Sequence, residues 1–145
     1  MNPFKARKLP FLIYGICLPF LISSCKQNSS FIPNVPVNVV INTLDPAYQS
    51  LNGIGGWAYV DGGSKGLIVF QSDYQEYKAF DRHCSYNPEN ECSKISVDQT
   101  QLYAVDSCCN SKFQLIDGNP VEGPANIGLK QYNTRFDGNI IQIWN

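Results

Sequence analysis

The chain has 145 residues, enough for one domain of ordinary size. Hydrophobic residues make up 43% and charged residues 16%, with eight Tyr, eight Phe and two Trp, which excludes a disordered chain. The formal net charge is −1 without a basic patch, which excludes nucleic acid as the expected partner, and the single histidine, His83, excludes any site that needs two.

The chain opens on a leader. Lys5, Arg7 and Lys8 precede the apolar run LPFLIYGICLPFLISS, which is shorter than the ~20 residues that span a bilayer. This is the layout of a signal peptide over 1–24. The run ends in Ile22-Ser23-Ser24-Cys25, an aliphatic residue and two small ones before a cysteine. That ending resembles a bacterial lipobox. In that class the cysteine is acylated, by palmitate among other chains, and becomes the mature N-terminus. Cys25 is therefore the expected lipidation site. Residues 25–36 read as the lipidated end and a flexible tether, since KQNSSFIPNVP is polar and carries two prolines. The expected location is the bacterial cell envelope, with the domain held to a membrane by lipid and lying outside the cytoplasm.

The folded domain is expected over 37–145, and it reads as all-β. VNVVINT (37–43) alternates apolar and polar residues. GWAYV and GLIVF flank DGGSK, a good hairpin connection. EYKAFD (76–81) leads into the first cysteine region, and QLYAV (101–105) and KFQLI (112–116) flank the second. LKQYNTRF and NIIQIWN close the chain around a DG turn at 137–138. Glycine and proline fill the gaps, and no segment carries a helical period. The pattern is that of an antiparallel sandwich or partly open barrel. GIGGW (53–57) leads into a strand with no helix after it, so it is a tight turn and not a phosphate cradle. Trp57, Tyr59, Phe70, Tyr77 and Phe80 are expected in the core.

Six cysteines are present. Cys17 falls in the leader and Cys25 at the lipidation site, leaving Cys84, Cys92, Cys108 and Cys109 in the domain. An even count in an exported domain points to disulfides, with three possible pairings. A bond between neighbours Cys108 and Cys109 closes a strained ring. The adjacent pair is therefore expected to reach outward, one to Cys84 and one to Cys92, by either of two pairings. Zinc is the rival, but adjacent cysteines diverge and the usual C-x₂₋₄-C spacing is absent. No metal is expected on this reading.

From about Gly53 to Asn145 the chain resembles the Rieske iron–sulfur domain. AFDRHCSYNPE stands where that family has a strand leading into C-x-H. DSCCNSKFQLIDGNPVEGPANIGLKQYNTRFDGNIIQIW follows the layout of its second half: C-P-x-H-G-S-x-F/Y, a D-G turn, a G-P-A loop, an L-x-x-Y strand and a final G-x-I-x-[IV] strand. The resemblance implies an all-β fold with two loops joined at one end, where a [2Fe–2S] cluster would sit. Its ligands map one at a time. Cys84 matches the first-loop cysteine and Tyr86 the first histidine; Asp106 stands at the second cysteine and Cys109 at the second histidine. A Rieske centre uses Cys₂ on one iron and His₂ on the other, and His83 directly precedes Cys84, out of phase with the ligand position. The resemblance also implies a pairing. Cys108 matches an extra second-loop cysteine of high-potential members, which makes Cys92–Cys108 and Cys84–Cys109 the expected bridges.

The expected function is therefore a lipid-anchored module without cofactor, structural or binding an unidentified protein partner, with no catalytic residues. Two alternatives stand beside it. One is an electron-transfer protein with an atypical [2Fe–2S] or metal centre using Cys84, Cys108 or Cys109 with Asp106 or His83, although aspartate is a hard ligand for such chemistry. The other is a thiol–disulfide oxidoreductase using Cys108–Cys109, although no C-x-x-C is present and only Lys112 and Arg82 stand near enough in sequence to lower a thiol pKa.

Overall fold

The computed structural model describes residues 31–145. The leader, Cys17 and the lipidation site Cys25 lie outside the described residues. Ten strands follow in chain order: β1 (Asn38–Asn42), β2 (Trp57–Val60), β3 (Leu67–Asp73), β4 (Glu76–Asp81), β5 (Ile95–Val97), β6 (Tyr103–Asp106), β7 (Lys112–Gln114), β8 (Pro120–Glu122), β9 (Gln131–Asp137) and β10 (Ile140–Trp144). A short 3₁₀ helix, Pro46–Asn52, joins β1 to β2. Asp45 caps it by accepting from the Ala47 amide at 2.9 Å, and Pro46 supplies the fixed φ of a first helical position.

The larger sheet has six strands in the order β1-β10-β9-β4-β3-β2 and curls into an antiparallel half-barrel. The smaller sheet is β5-β6-β7-β8. The DGGSK turn joins β2 to β3 in register Trp57↔Phe70, and the DG turn joins β9 to β10 in register Ile141↔Phe136. The molecule is thus the all-β fold that the alternation of its segments implies.

The centre of the larger sheet is covered on both faces. In β3, Leu67 and Val69 point into one core with Ile41, Leu51 and Ile141. Their neighbours Ile68 and Phe70 point into a second core with Phe80, Ile95, Phe113 and Leu115. A strand buried on both sides has no polar face, which is why GLIVF reads as an unbroken apolar run. The second core joins the two sheets, because Phe80 comes from β4 and Phe113 from β7. Both rings are fully buried, each contributing roughly 1.5–3 kcal/mol by removal from water. Gly118 turns the chain after β7 at φ +74, and a Cβ there would stand 2.6 Å from the Phe80 ring, so the packing demands a bare backbone.

This arrangement places two loops together at one end. The first (82–94) connects β4 to β5, and the second (107–111) connects β6 to β7. A bridge between His83 and Lys94 closes the base of the first loop. A third segment, 123–129, contains the cis Gly123–Pro124 peptide and lies against both, through Ser85 Oγ to Ile127 O at 2.6 Å and Ala125 N to Ser111 Oγ at 2.9 Å.

Candidate functional site

The loop end brings together the residues that the motif comparison singled out. Cys84 is fully buried at the start of the first loop. Asp106 is the last residue of β6 and is also fully buried, and Cys109 is half-buried in the second loop. The sulfurs of Cys84 and Cys109 and a carboxylate oxygen of Asp106 all lie within 4.8 Å of one another. Tyr86 is exposed and sends its backbone N–H to Cys84 Sγ at 3.4 Å. A cavity of about 100 Å³ opens beside the group, lined among others by Tyr86, Ser93, Asp106 and Cys109.

The local chain explains each position. Asp106 Oδ1 accepts from the Cys108 amide at 2.7 Å, the Asp106 amide donates to Ser111 O at 2.9 Å, and the Asn110 amide donates to Asp106 O at 2.7 Å. These bonds fold 106–111 into a tight turn, with Asn110 in the left-handed region that Asn tolerates. The turn sends adjacent side chains apart. Cys108 reaches Cys92 in a disulfide, while Cys109 turns inward, its thiol donating to Ser111 Oγ at 3.1 Å.

Cys92–Cys108 is thus one of the two expected bridges. The other pair meets but is not joined. Cys84 Sγ and Cys109 Sγ stand 3.9 Å apart as free thiols, well beyond the ~2.05 Å of a bond. Burial is the main force holding Cys84 protonated, raising its pKa well above the ordinary thiol range. The Asp106 carboxyl, to which the thiol hydrogen-bonds, adds to the rise, and the Tyr86 N–H works against it.

His83, directly before Cys84, belongs to the base of the first loop. It is buried, with Nδ1 2.8 Å from Ser64 Oγ and Nε2 2.6 Å from the Pro88 carbonyl. A carbonyl only accepts, so Nε2 carries the proton and Nδ1 takes the Ser64 hydroxyl. Both ring nitrogens are spent on the frame of the first loop.

Two supports of that frame carry no sequence motif. Asp81, fully buried at the end of β4, accepts from the amides of Ser64 (2.7 Å), Lys65 (3.2 Å) and His83 (2.9 Å) and from the Tyr132 hydroxyl (2.8 Å). Burial first, then the Asp81 bond, push the Tyr132 phenol well above its usual range, so it stays a donor. Gly63, at φ +64, lets the turn close on this carboxylate, since a Cβ would come within 2.5 Å of Oδ2. Lys65 then reaches over to the carbonyls of Asn90, Glu91 and Ser93 at 3.0, 3.1 and 3.0 Å, clamping the far side of the first loop. Of the aromatics expected in the core, Phe70, Tyr77 and Phe80 are buried and Trp57 partly so. Tyr59 is 39% exposed, stacked under the Arg82 guanidinium at 3.7 Å, its hydroxyl accepting from the Val97 amide at 2.9 Å.

The donors at the loop end do not make a Rieske ligand set. The four mapped positions offer two sulfurs, one carboxylate and an exposed phenol, where that cluster needs two thiolates and two imidazoles. The only histidine of the chain is engaged elsewhere.

No family model matches the chain, and no curated protein matches it. Solved structures do. The chain is similar to the plasma-membrane Rieske protein of the cyanobacterium Synechocystis PCC 6803, at 20% identity and a TM-score of 0.54, over 74% of this chain and 97% of that one. It is also similar to a chain from the complex of reduced oxygenase and oxidized ferredoxin in carbazole 1,9a-dioxygenase, at 12% identity and a TM-score of 0.52, over 74% and 93%. At these identities the likeness speaks for the fold. The two loops at one end and their cross-link agree with it, and the chain has a Rieske-like fold.

Proposed function

We propose that the chain is an exported lipoprotein of the bacterial cell envelope, and that its Rieske-like domain works without a [2Fe–2S] cluster as a binding or structural module for a protein partner. One observation carries this reading. The ligand positions hold Cys84, Tyr86, Asp106 and Cys109, and the sole histidine is locked between Ser64 and the Pro88 carbonyl. The fold keeps its loop end by other means, with the Cys92–Cys108 bridge and the Lys65 clamp between them holding both loops. Cys108 is bonded to Cys92 and is not free to act with Cys109, which argues against a thiol–disulfide oxidoreductase using that pair.

The protein purified in the absence of air is expected to be colourless and free of iron and acid-labile sulfide. Visible absorption and metal analysis check this, and stoichiometric iron with a Rieske-type spectrum would remove the reading. The anchoring part has its own test. Cys25→Ser is expected to move the protein from the membrane to the soluble fraction or to block its processing. A Ser variant that stays on the membrane at mature size would remove the lipid anchor from the account.

A further inference from the structure

We propose that Cys84, Cys109 and Asp106 form a binding site for a single zinc-class divalent cation, held by two sulfurs and one carboxylate oxygen with water as the fourth ligand. The inference rests on the reading that this pocket holds no iron–sulfur cluster.

The spacing fits. Two thiolates on one tetrahedral zinc, at about 2.3 Å each, stand ~3.8 Å apart. The two sulfurs here are 3.9 Å apart, and the Asp106 oxygen completes a set within 4.8 Å. Little movement is needed to close the three donors around one ion.

The carboxylate supplies an independent reason. Asp106 is fully buried, and no basic side chain among the described residues pairs with it. Its Oδ1 is satisfied by the Cys108 amide, but the contact at Oδ2 is a long one, 3.5 Å from Ser93 Oγ. That Ser93 hydroxyl has a single proton and lies nearer the Tyr86 carbonyl, at 3.2 Å. A carboxylate taken from water with so little compensation is costly, and a divalent cation at Oδ2 removes the cost. The adjoining cavity of about 100 Å³ borders both Asp106 and Cys109, which is ample for a water of about 30 Å³ as fourth ligand.

The donor chemistry selects the ion. Two sulfurs favour zinc over magnesium or calcium, which require oxygen shells. Two of the donors sit on loops already braced by Cys92–Cys108 and the third ends β6, so the site is preformed. Binding forms two metal–sulfur bonds and releases the two thiol protons to solvent. Affinity therefore rises with pH over the range where those protons compete with the metal.

The test uses the full-length protein, kept reduced at Cys84 and Cys109 and stripped of metal. Titration with Zn²⁺ against a chromophoric chelator is expected to give one ion per chain with release of about two protons. Co²⁺ in its place is expected to give the intense thiolate-to-metal bands of a tetrahedral site. Cys109→Ser and Asp106→Asn should each weaken binding by more than the about 10–100-fold that loss of an outer partner costs, while Asp98→Asn, in the turn after β5, should not change it. Should a variant fold poorly, the parent protein decides by itself: bound zinc should shield the half-buried Cys109 from alkylation. Lack of uptake by the reduced protein, uptake indifferent to Cys109→Ser, or alkylation unchanged by zinc would each overturn the site. Iron and sulfide in the protein as first isolated would instead overturn the cluster-free reading beneath it, so the two failures are distinct.

Discussion

Asp81→Ala is expected to cost about 3–5 kcal/mol of stability, the range for stripping a buried charged acceptor from its donors. Four donors converge on this carboxylate, three of them from residues far away in the chain, and two, the His83 amide and the Tyr132 hydroxyl, are buried. Alanine leaves them facing a void that no other acceptor fills. Tm should fall on the order of 10–20 °C for a domain of this size. Asp81→Asn is expected to recover little, because its amide nitrogen must face donors on one side whichever way it is turned. The effect should reach the site as well. Asp81 sets the 61–66 turn, and that turn carries Lys65 to the carbonyls of 90–93. Thermal melting of the two variants checks this, and an Asn variant that melts with the parent would show that the carboxylate does not hold the turn.

Removing the Cys92–Cys108 bridge is the second large effect. The two cysteines are 16 residues apart, a closed loop worth about 3 kcal/mol by chain entropy. That is a large share of the ~5–15 kcal/mol that domains command. Both residues are exposed, so little packing is lost with the sulfurs and the cost is that of freeing the loop. Cys92→Ala with Cys108→Ala, or selective reduction, should lower Tm on the order of 10 °C. The 85–92 segment should then become the first site of proteolysis, since only hydrogen bonds, those of Lys65 and His83 among them, are left to hold it. Melting with and without reductant, beside a non-reduced peptide map, checks it. Two free thiols at these positions, or an unchanged melt, would contradict it.

Much of the fold was legible because strands with one dry face announce themselves by period. β1, β2, β4 and β10 lie within segments that alternate or run apolar between turn residues, and β3 and β9 start in such segments and run past them to Asp73 and Asp137. β5 and β8 are three residues each, too short to show a period, and pair only because β6 and β7 are already placed. The 3₁₀ helix was hidden in the same way, although Asp45 and Pro46 were the available signal. At the site, the residues that the motif layout singled out, Cys84, Tyr86, Asp106 and Cys109, lie in or beside two facing loops, because a short loop between fixed strands has few paths. What the layout could not carry was the state of each side chain. His83 is buried by a carbonyl at Pro88 and a hydroxyl at Ser64, partners with no signature in sequence. Asp81 escaped notice for the same reason, as its burial depends on donors far away in the chain. The pairing of Cys84 with Cys109 followed from facing positions alone, and facing positions are met equally by a bond and by two thiols at 3.9 Å.

The central claim is that this Rieske-like fold stands without its cluster, and anaerobic reconstitution tests it most directly. The metal-stripped full-length protein is incubated with ferrous iron and sulfide, desalted, reduced and examined by electron paramagnetic resonance. The account predicts no Rieske-type signal and no retained sulfide, because the loop end offers Cys84, Cys109 and Asp106 and no imidazole. A stoichiometric [2Fe–2S] signal that disappears in Cys84→Ser would contradict it.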